Sequence, residues 1–192
     1  MLKKIIIQGI PEAGDIIHYE LQGGFYVESV SGITLLSFLI QSCNIPENYI
    51  GDKIKTIFHN GNPVDDLKTV KLFENSVVAI SGAMPGLVGA MMRIGSPYAP
   101  MRESITDKGN AEGVTGDKIL VKLKLFNIIL NDHGKRFTEH GVVFDRETIH
   151  RIIRKCQSLT ENKVSIIIDD TVFESTGIEQ LTDDKYIISY SG

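Results

Sequence analysis

The side chains of this chain that could do chemistry are few and scattered. Cys43 and Cys156 stand 113 positions apart with no CxxC spacing, which argues against both a disulfide framework and a zinc site. Each falls at an apolar position of a helical pattern, where a thiol acts as a small buried hydrophobe rather than a nucleophile. His133, His140 and His150 lie within 18 residues, but no H-E-x-x-H or other ligand spacing joins them, and they read as surface histidines. The acidic pairs Asp65-Asp66, Asp169-Asp170 and Asp183-Asp184 fall at turns, where Asp bonds its own backbone. A paired-carboxylate site would need them to converge in space. Gly86-Leu87-Val88-Gly89 is followed by no Lys-Ser/Thr, and no GxGxxG occurs, so no phosphate loop is expected. The pattern predicts no catalytic residue, no cofactor and no metal.

The segment with the most unusual composition is 81–117, with seven glycines, three prolines and four of the five methionines. A Met-rich apolar stretch adapts to a partner's groove because the thioether is flexible and polarizable. On this reading Met84, Gly86, Leu87, Met91, Met92 and Met101 form a docking segment, with Arg93 and Arg102 anchoring its edges. The alternative is that the segment packs between the two halves of the chain. Either way it should be ordered, since leaving so many apolar residues in water is costly.

These residues must be carried by a framework the rest of the chain specifies. With 192 residues, 42% hydrophobic, 23% charged and no Trp, the chain suits a globular protein of one or two small domains. A net charge of −4 and the lack of a basic-aromatic patch argue against nucleic acid. Gln8-Gly9 and Pro11 interrupt the N-terminal apolar run well short of the ~20 residues of a membrane span, so no membrane partner is expected and the cytoplasm is the expected location.

In order, strands are expected at 4–8, 16–20 and 25–30. A helix capped by Ser31 follows, burying Leu36, Leu39, Ile40 and Cys43 at i, i+3, i+4, i+7 and ended by Asn44 and Pro46. Asn60-Gly61 supplies the two positive-φ positions of a type I′ hairpin, and Val77–Ile80 is a buried strand. Leu87, Val88, Met91 and Met92 would share one side of a short helix, and 104–117 reads as a linker. Regular structure resumes with a half-buried strand at 118–125, a helix at 126–132 stopped by Gly134, and a strand at 141–144. Then come a helix capped by Asp145 that buries Ile149, Ile152, Ile153 and Cys156, a strand at 164–168 and a last strand at 186–189.

The two halves match in blocks. Leu36, Leu39, Ile40 and Cys43 align with Ile149, Ile152, Ile153 and Cys156 at an offset of 113, and Ile57, Asn60, Leu72 and Val78 align with Ile166, Asp169, Leu181 and Ile187 at 109. Both halves then read strand, strand, helix, strand, small strand, final strand, the order of a β-grasp. Strand, Asn-Gly turn, final strand and the tail Ser81-Gly82-Ala83-Met84-Pro85-Gly86 resemble the closing part of the small sulfur-carrier, ubiquitin-like proteins of the MoaD/ThiS family. Val121-Lys-Leu-Lys-Leu-Phe-Asn, a turn of helix and Gly134 resemble that family's opening. The resemblance implies an α+β fold of tandem β-grasp (ubiquitin-like) units, each a mixed sheet packed on one main helix. The expected division is an N-terminal unit 1–83, a Met/Gly-rich linker or docking segment 84–117, and a C-terminal unit 118–192.

In that family an adenylating enzyme activates a terminal Gly-Gly carboxylate, which becomes a thiocarboxylate. Here Leu87 follows Gly86, and Gly192 aligns with Ala83 at the end of a strand, so neither glycine offers a long threadable end. The expectation is therefore a non-catalytic protein acting by protein–protein recognition. The resemblance suggests as partner an adenylating or other enzyme of molybdenum- or tungsten-cofactor or sulfur-transfer chemistry. Two alternatives are a sulfur carrier released by processing at Gly86, and an enzyme with a site between the two halves.

Overall fold

Apolar and charged residues alternate through Lys118–Leu125, and Ile119, Val121, Leu123 and Leu125 are all buried along one side of that strand. The computed structural model describes residues 2–109, 113, 115–159, 164–169, 171, 172 and 181–192. The fold is mixed α+β. Its elements are β1 (Lys3–Gly9), α1 (Pro11–Glu20), β2 (Phe25–Val30), α2 (Leu35–Ser37) running into a π-helical turn (Phe38–Ser42), α3 (Glu47–Lys53), β3 (Thr56–His59), β4 (Asn62–Pro63) and β5 (Val77–Ser81). They continue with α4 (Gly86–Met92), a 3-10 helix (Ala99–Ile105), β6 (Lys118–Leu125), α5 (Asn127–His140), β7 (Val142–Asp145), α6 (Arg146–Gln157), β8 (Val164–Ile168), β9 (Thr171–Val172) and β10 (Lys185–Ser191). No helix of the described residues is long and apolar enough to cross a membrane.

Packing divides the chain into two compact units, residues 1–25 with 130–192, and residues 26–129. These do not coincide with the consecutive segments 1–83, 84–117 and 118–192 read from the sequence. In the second unit the strand order is β4-β3-β5-β6-β2, with β5 antiparallel to β3 and parallel to β6. Its buried side chains include Leu35, Phe38, Leu39, Ile57, Val78, Ile80, Leu123 and Leu125. In the first unit the order is β7-β10-β1-β8-β9, with β1 antiparallel to β8 and parallel to β10. Ile5, Ile7, Ile17, Phe144, Ile149, Ile152, Tyr186 and Ile188 are buried there, and Phe25 packs on Phe137 with ring centroids 4.9 Å apart.

The two units repeat one local device. Asn60 (φ 50°) donates its amide to Val77 O at 2.8 Å and accepts the Val77 amide on Oδ1 at 2.8 Å. Asp169 (φ 46°) does the same with Lys4, at 3.0 and 3.1 Å. The pairing of Asn60 with Asp169 therefore holds, as does that of Leu72 with Leu181, both buried. The matching of final strands does not. β1, not β10, takes in the first unit the position that β5 takes in the second, and β10 takes that of β6. Tyr186 and Ile188 are the buried apolar residues of β10, whereas Val78 and Ile80 are those of β5, so the half-buried Ile187 does not match the buried Val78.

Four expectations are corrected. Residues 16–20 are not a strand: Pro11 at the first helical position starts a helix, and Ala13, Ile17 and Leu21, four apart, are buried. The cap of the next helix is Thr34 rather than Ser31: its hydroxyl accepts the Ser37 amide at 3.2 Å, and the Ser31 amide donates to Asp117 O. The wide turn closed by the Cys43 amide on Phe38 O shifts the buried stripe to Leu35, Phe38, Leu39 and Cys43, leaving Leu36 and Ile40 half-buried. Finally, Gly134 does not stop a helix. α5 runs through it to His140, and the missing side chain is where the His18 imidazole packs. By contrast Asp145 caps α6 as expected, accepting the Thr148 amide at 2.9 Å, and Asn60-Gly61 takes its two positive φ values.

Candidate functional site

The segment after β5 folds onto the second unit as a compact element. Pro85 precedes α4, and a Cβ on Gly89 would run into the Met84 carbonyl, so only glycine lets the helix turn back this tightly. The Ile94 amide donates to Lys55 O at 2.8 Å. Arg102 fastens the far end. Its guanidinium, 1% exposed, is held bidentately by Asp65 (2.7 and 3.0 Å) and donates to Met91 O (2.6 Å), Thr106 Oγ1 (2.7 Å) and Arg93 O (3.3 Å). Arg102 is thus an internal clamp and is not presented to a partner. Arg93, Met91 and Met92 are half-buried, and Gly86 is exposed at the first residue of α4. Leu87, Val88 and Met101 are 65, 66 and 67% exposed, apolar side chains on a backbone that is held from both ends.

Next to this element lies a groove of about 460 Å³ lined by Phe58, Val77, Ala79, Met84, Lys124 and Phe126. Strand register builds it: Phe58 is opposite Ala79, which is beside Lys124, so one row crosses β3, β5 and β6 on the face away from the buried Val78 and Leu123. Asn127, at positive φ, closes one end by donating from Nδ2 to Ser81 Oγ at 2.8 Å. Of the docking residues expected from the sequence, only Met84 lines the groove. Phe58, Val77, Ala79 and Phe126 were missed, because an outward apolar side chain looks like a core one until the sheet's faces are known.

A Ser–His–Asp arrangement that sequence spacing did not suggest occurs in the same unit. Asp107 Oδ2 lies 2.6 Å from His59 Nδ1, and Ser76 Oγ lies 3.2 Å from His59 Nε2. A carboxylate only accepts, so Nδ1 carries a proton. The geometry resembles a hydrolase triad, but Ser76 and His59 are each 4% exposed and the Ser76 hydroxyl also accepts the Phe73 amide at 2.9 Å. Ser76 and His59 are thus both nearly closed to solvent. The three residues tie β3, the turn before β5 and the 106–109 loop, whose Asp107 amide donates to Pro63 O.

The other reactive types are dispersed. Burial pushes the Cys156 thiol up to about 11, which keeps it protonated, and Cys43 is buried as well. His140 Nδ1 meets Arg136 O and His150 Nε2 meets Leu181 O. Burial, then the Arg136 cation, holds His133 below the ordinary histidine value. Among the described residues no three His, Cys, Asp or Glu side chains are grouped as a metal would need. Described members of the acidic pairs serve separate contacts. Asp65 holds Arg102, Asp66 accepts the Lys68 amide, and Asp183 meets Lys3 at 3.3 Å. Asp170 lies outside the described residues.

The first unit carries a cleft of about 730 Å³ along α1, α5 and β10. Asp15, His18, Lys135, Glu139 and Tyr190 line it. Burial holds His18 below its ordinary value against the opposing pull of Asp15, and Lys135 approaches Glu139 at 3.7 Å. Its charges are mixed, and the Thr138 and Tyr190 hydroxyls there donate to Lys135 O and Gly9 O. Compared with known proteins, the chain matches no family model, no curated protein and no solved structure.

Proposed function

We propose that this chain is a non-catalytic recognition protein whose docking surface is the apolar groove of the second unit together with the tip of α4. The observation that carries the reading is the row Phe58–Ala79–Lys124 in the groove wall, with Met84 leading from the groove into the segment whose Leu87 and Val88 are exposed on a clamped backbone. Apolar side chains held rigidly at a surface lose little entropy when a partner covers them, which is how a small patch becomes an anchor. Two units of related sheet order, each with a helix next to its second strand, favour a pair of β-grasp-like units whose first and last strands have exchanged places. On the resemblance to MoaD/ThiS proteins alone, the partner is an adenylating or cofactor-pathway enzyme.

The test is crosslinking mass spectrometry in the native host with the full chain, its Ala79→Arg variant and its Leu87→Ser/Val88→Ser variant. Expected is a specific partner, crosslinked near β5 and β6, whose yield collapses in both variants while their far-UV spectra stay unchanged. A partner recovered equally from all three proteins would overturn the reading.

A further inference from the structure

Lys124 is half-buried in the wall of the groove. Among the described residues no carboxylate lies within ion-pair distance of its ammonium. Its neighbours on β6 differ. Lys118 pairs with Glu28 at 2.8 Å, and Lys122 sits 5.5 Å from the centre of the Tyr26 ring. Both point to the same side of β6 as Lys124, so the groove is apolar along Phe58, Val77, Ala79, Met84 and Phe126 and cationic along one margin.

A partner that fills such a groove strips water from Lys124 whatever its own charge. An apolar partner would leave the ammonium partly desolvated and uncompensated, and a basic one would add repulsion. A carboxylate arriving with the apolar side chains neutralises the ammonium as water leaves, where the attraction is stronger than on an open surface. We infer that the groove takes an amphipathic peptide segment of a partner protein, with apolar side chains seated over Ala79 and an Asp or Glu carboxylate on Lys124 Nζ. This rests on the docking reading above and adds the chemistry of the partner to it.

The experiment pans a phage-displayed random 16-residue peptide library on the immobilised full chain and measures the enriched peptides, synthesised with acetylated and amidated ends, by fluorescence anisotropy. Lys124→Met keeps the aliphatic stem and removes the charge, and Ala79→Arg fills the groove. Matched thermal melts establish that both variants fold. Expected are peptides combining apolar residues with at least one Asp or Glu. Their affinity should fall about tenfold with Lys124→Met and beyond detection with Ala79→Arg, and it should weaken with added salt. Enriched peptides without acidic residues, or affinities unchanged by Lys124→Met but abolished by Ala79→Arg, would overturn the carboxylate assignment and leave the groove as the docking site. Peptides indifferent to Ala79→Arg, or no enrichment at all, would overturn both.

Discussion

Arg102 offers the sharpest test of how the docking segment is held. Arg102→Met preserves most of the stem's volume but deletes all five contacts of the guanidinium. The Met91 and Arg93 carbonyls then lose a donor, at roughly 1–3 kcal/mol for each that stays dry. Asp65 is 37% exposed and turns to water, so it adds little, and the expected loss is about 3 kcal/mol. Asp65→Ala acts differently: the buried cation keeps its three other acceptors but loses its countercharge, for about 3–5 kcal/mol. The double variant should cost less than the sum, with a coupling of roughly 1.5–3 kcal/mol, because once one partner is gone the other has little left to lose. In a thermal melt the Arg102→Met loss should read as roughly 6–12 °C and the Asp65→Ala loss as roughly 6–20 °C, at ~2–4 °C per kcal/mol for a chain of this size. Native-state hydrogen exchange gives the local readout, since the Ile94 amide bonded to Lys55 O at 2.8 Å should lose protection in every variant. Additive single effects, or an Arg102→Met loss below about 1 kcal/mol, would refute the clamp.

Two further outcomes follow from buried polar groups. Burial pushes the Glu20 carboxyl up, but Arg151 (2.7 Å) and Lys155 (2.8 Å) outweigh it and hold the group below its ordinary value of 4.5. Its contribution is therefore present above that value and lost as pH falls through the lower folded one. Glu20→Gln should cost about 1–3 kcal/mol at pH 7, and urea midpoints of variant and parent should draw together as pH falls below the ordinary carboxyl value; a gap of constant size would contradict this. For the Ser76–His59–Asp107 group, a fluorophosphonate probe should leave Ser76 unlabelled, and Ser76→Ala should lower stability by about 1–2 kcal/mol. Labelling of Ser76 would show that the serine is reachable and that the structural reading of the group is mistaken.

Local chemistry was legible in the chain by itself wherever a few neighbouring residues decide the outcome. Asn60-Gly61 specifies its turn because those two residues tolerate positive φ. Asp145 specifies the start of α6 because its carboxylate satisfies a free amide three residues on. Alternation specifies which side of β6 is buried. Strand partners were not legible, since a period of two tells a strand which face to hide but not which neighbour to choose. Only the packed structure seats β1 between β8 and β10, and seats β6 beside β5. Likewise Arg102 looks like a surface cation until Asp65, 37 residues away, closes on it, and Phe58 looks like core until the sheet's faces are assigned. Contacts between residues distant in sequence decide burial, and burial decides whether an arginine is an anchor for a partner or a clamp for the protein's own fold.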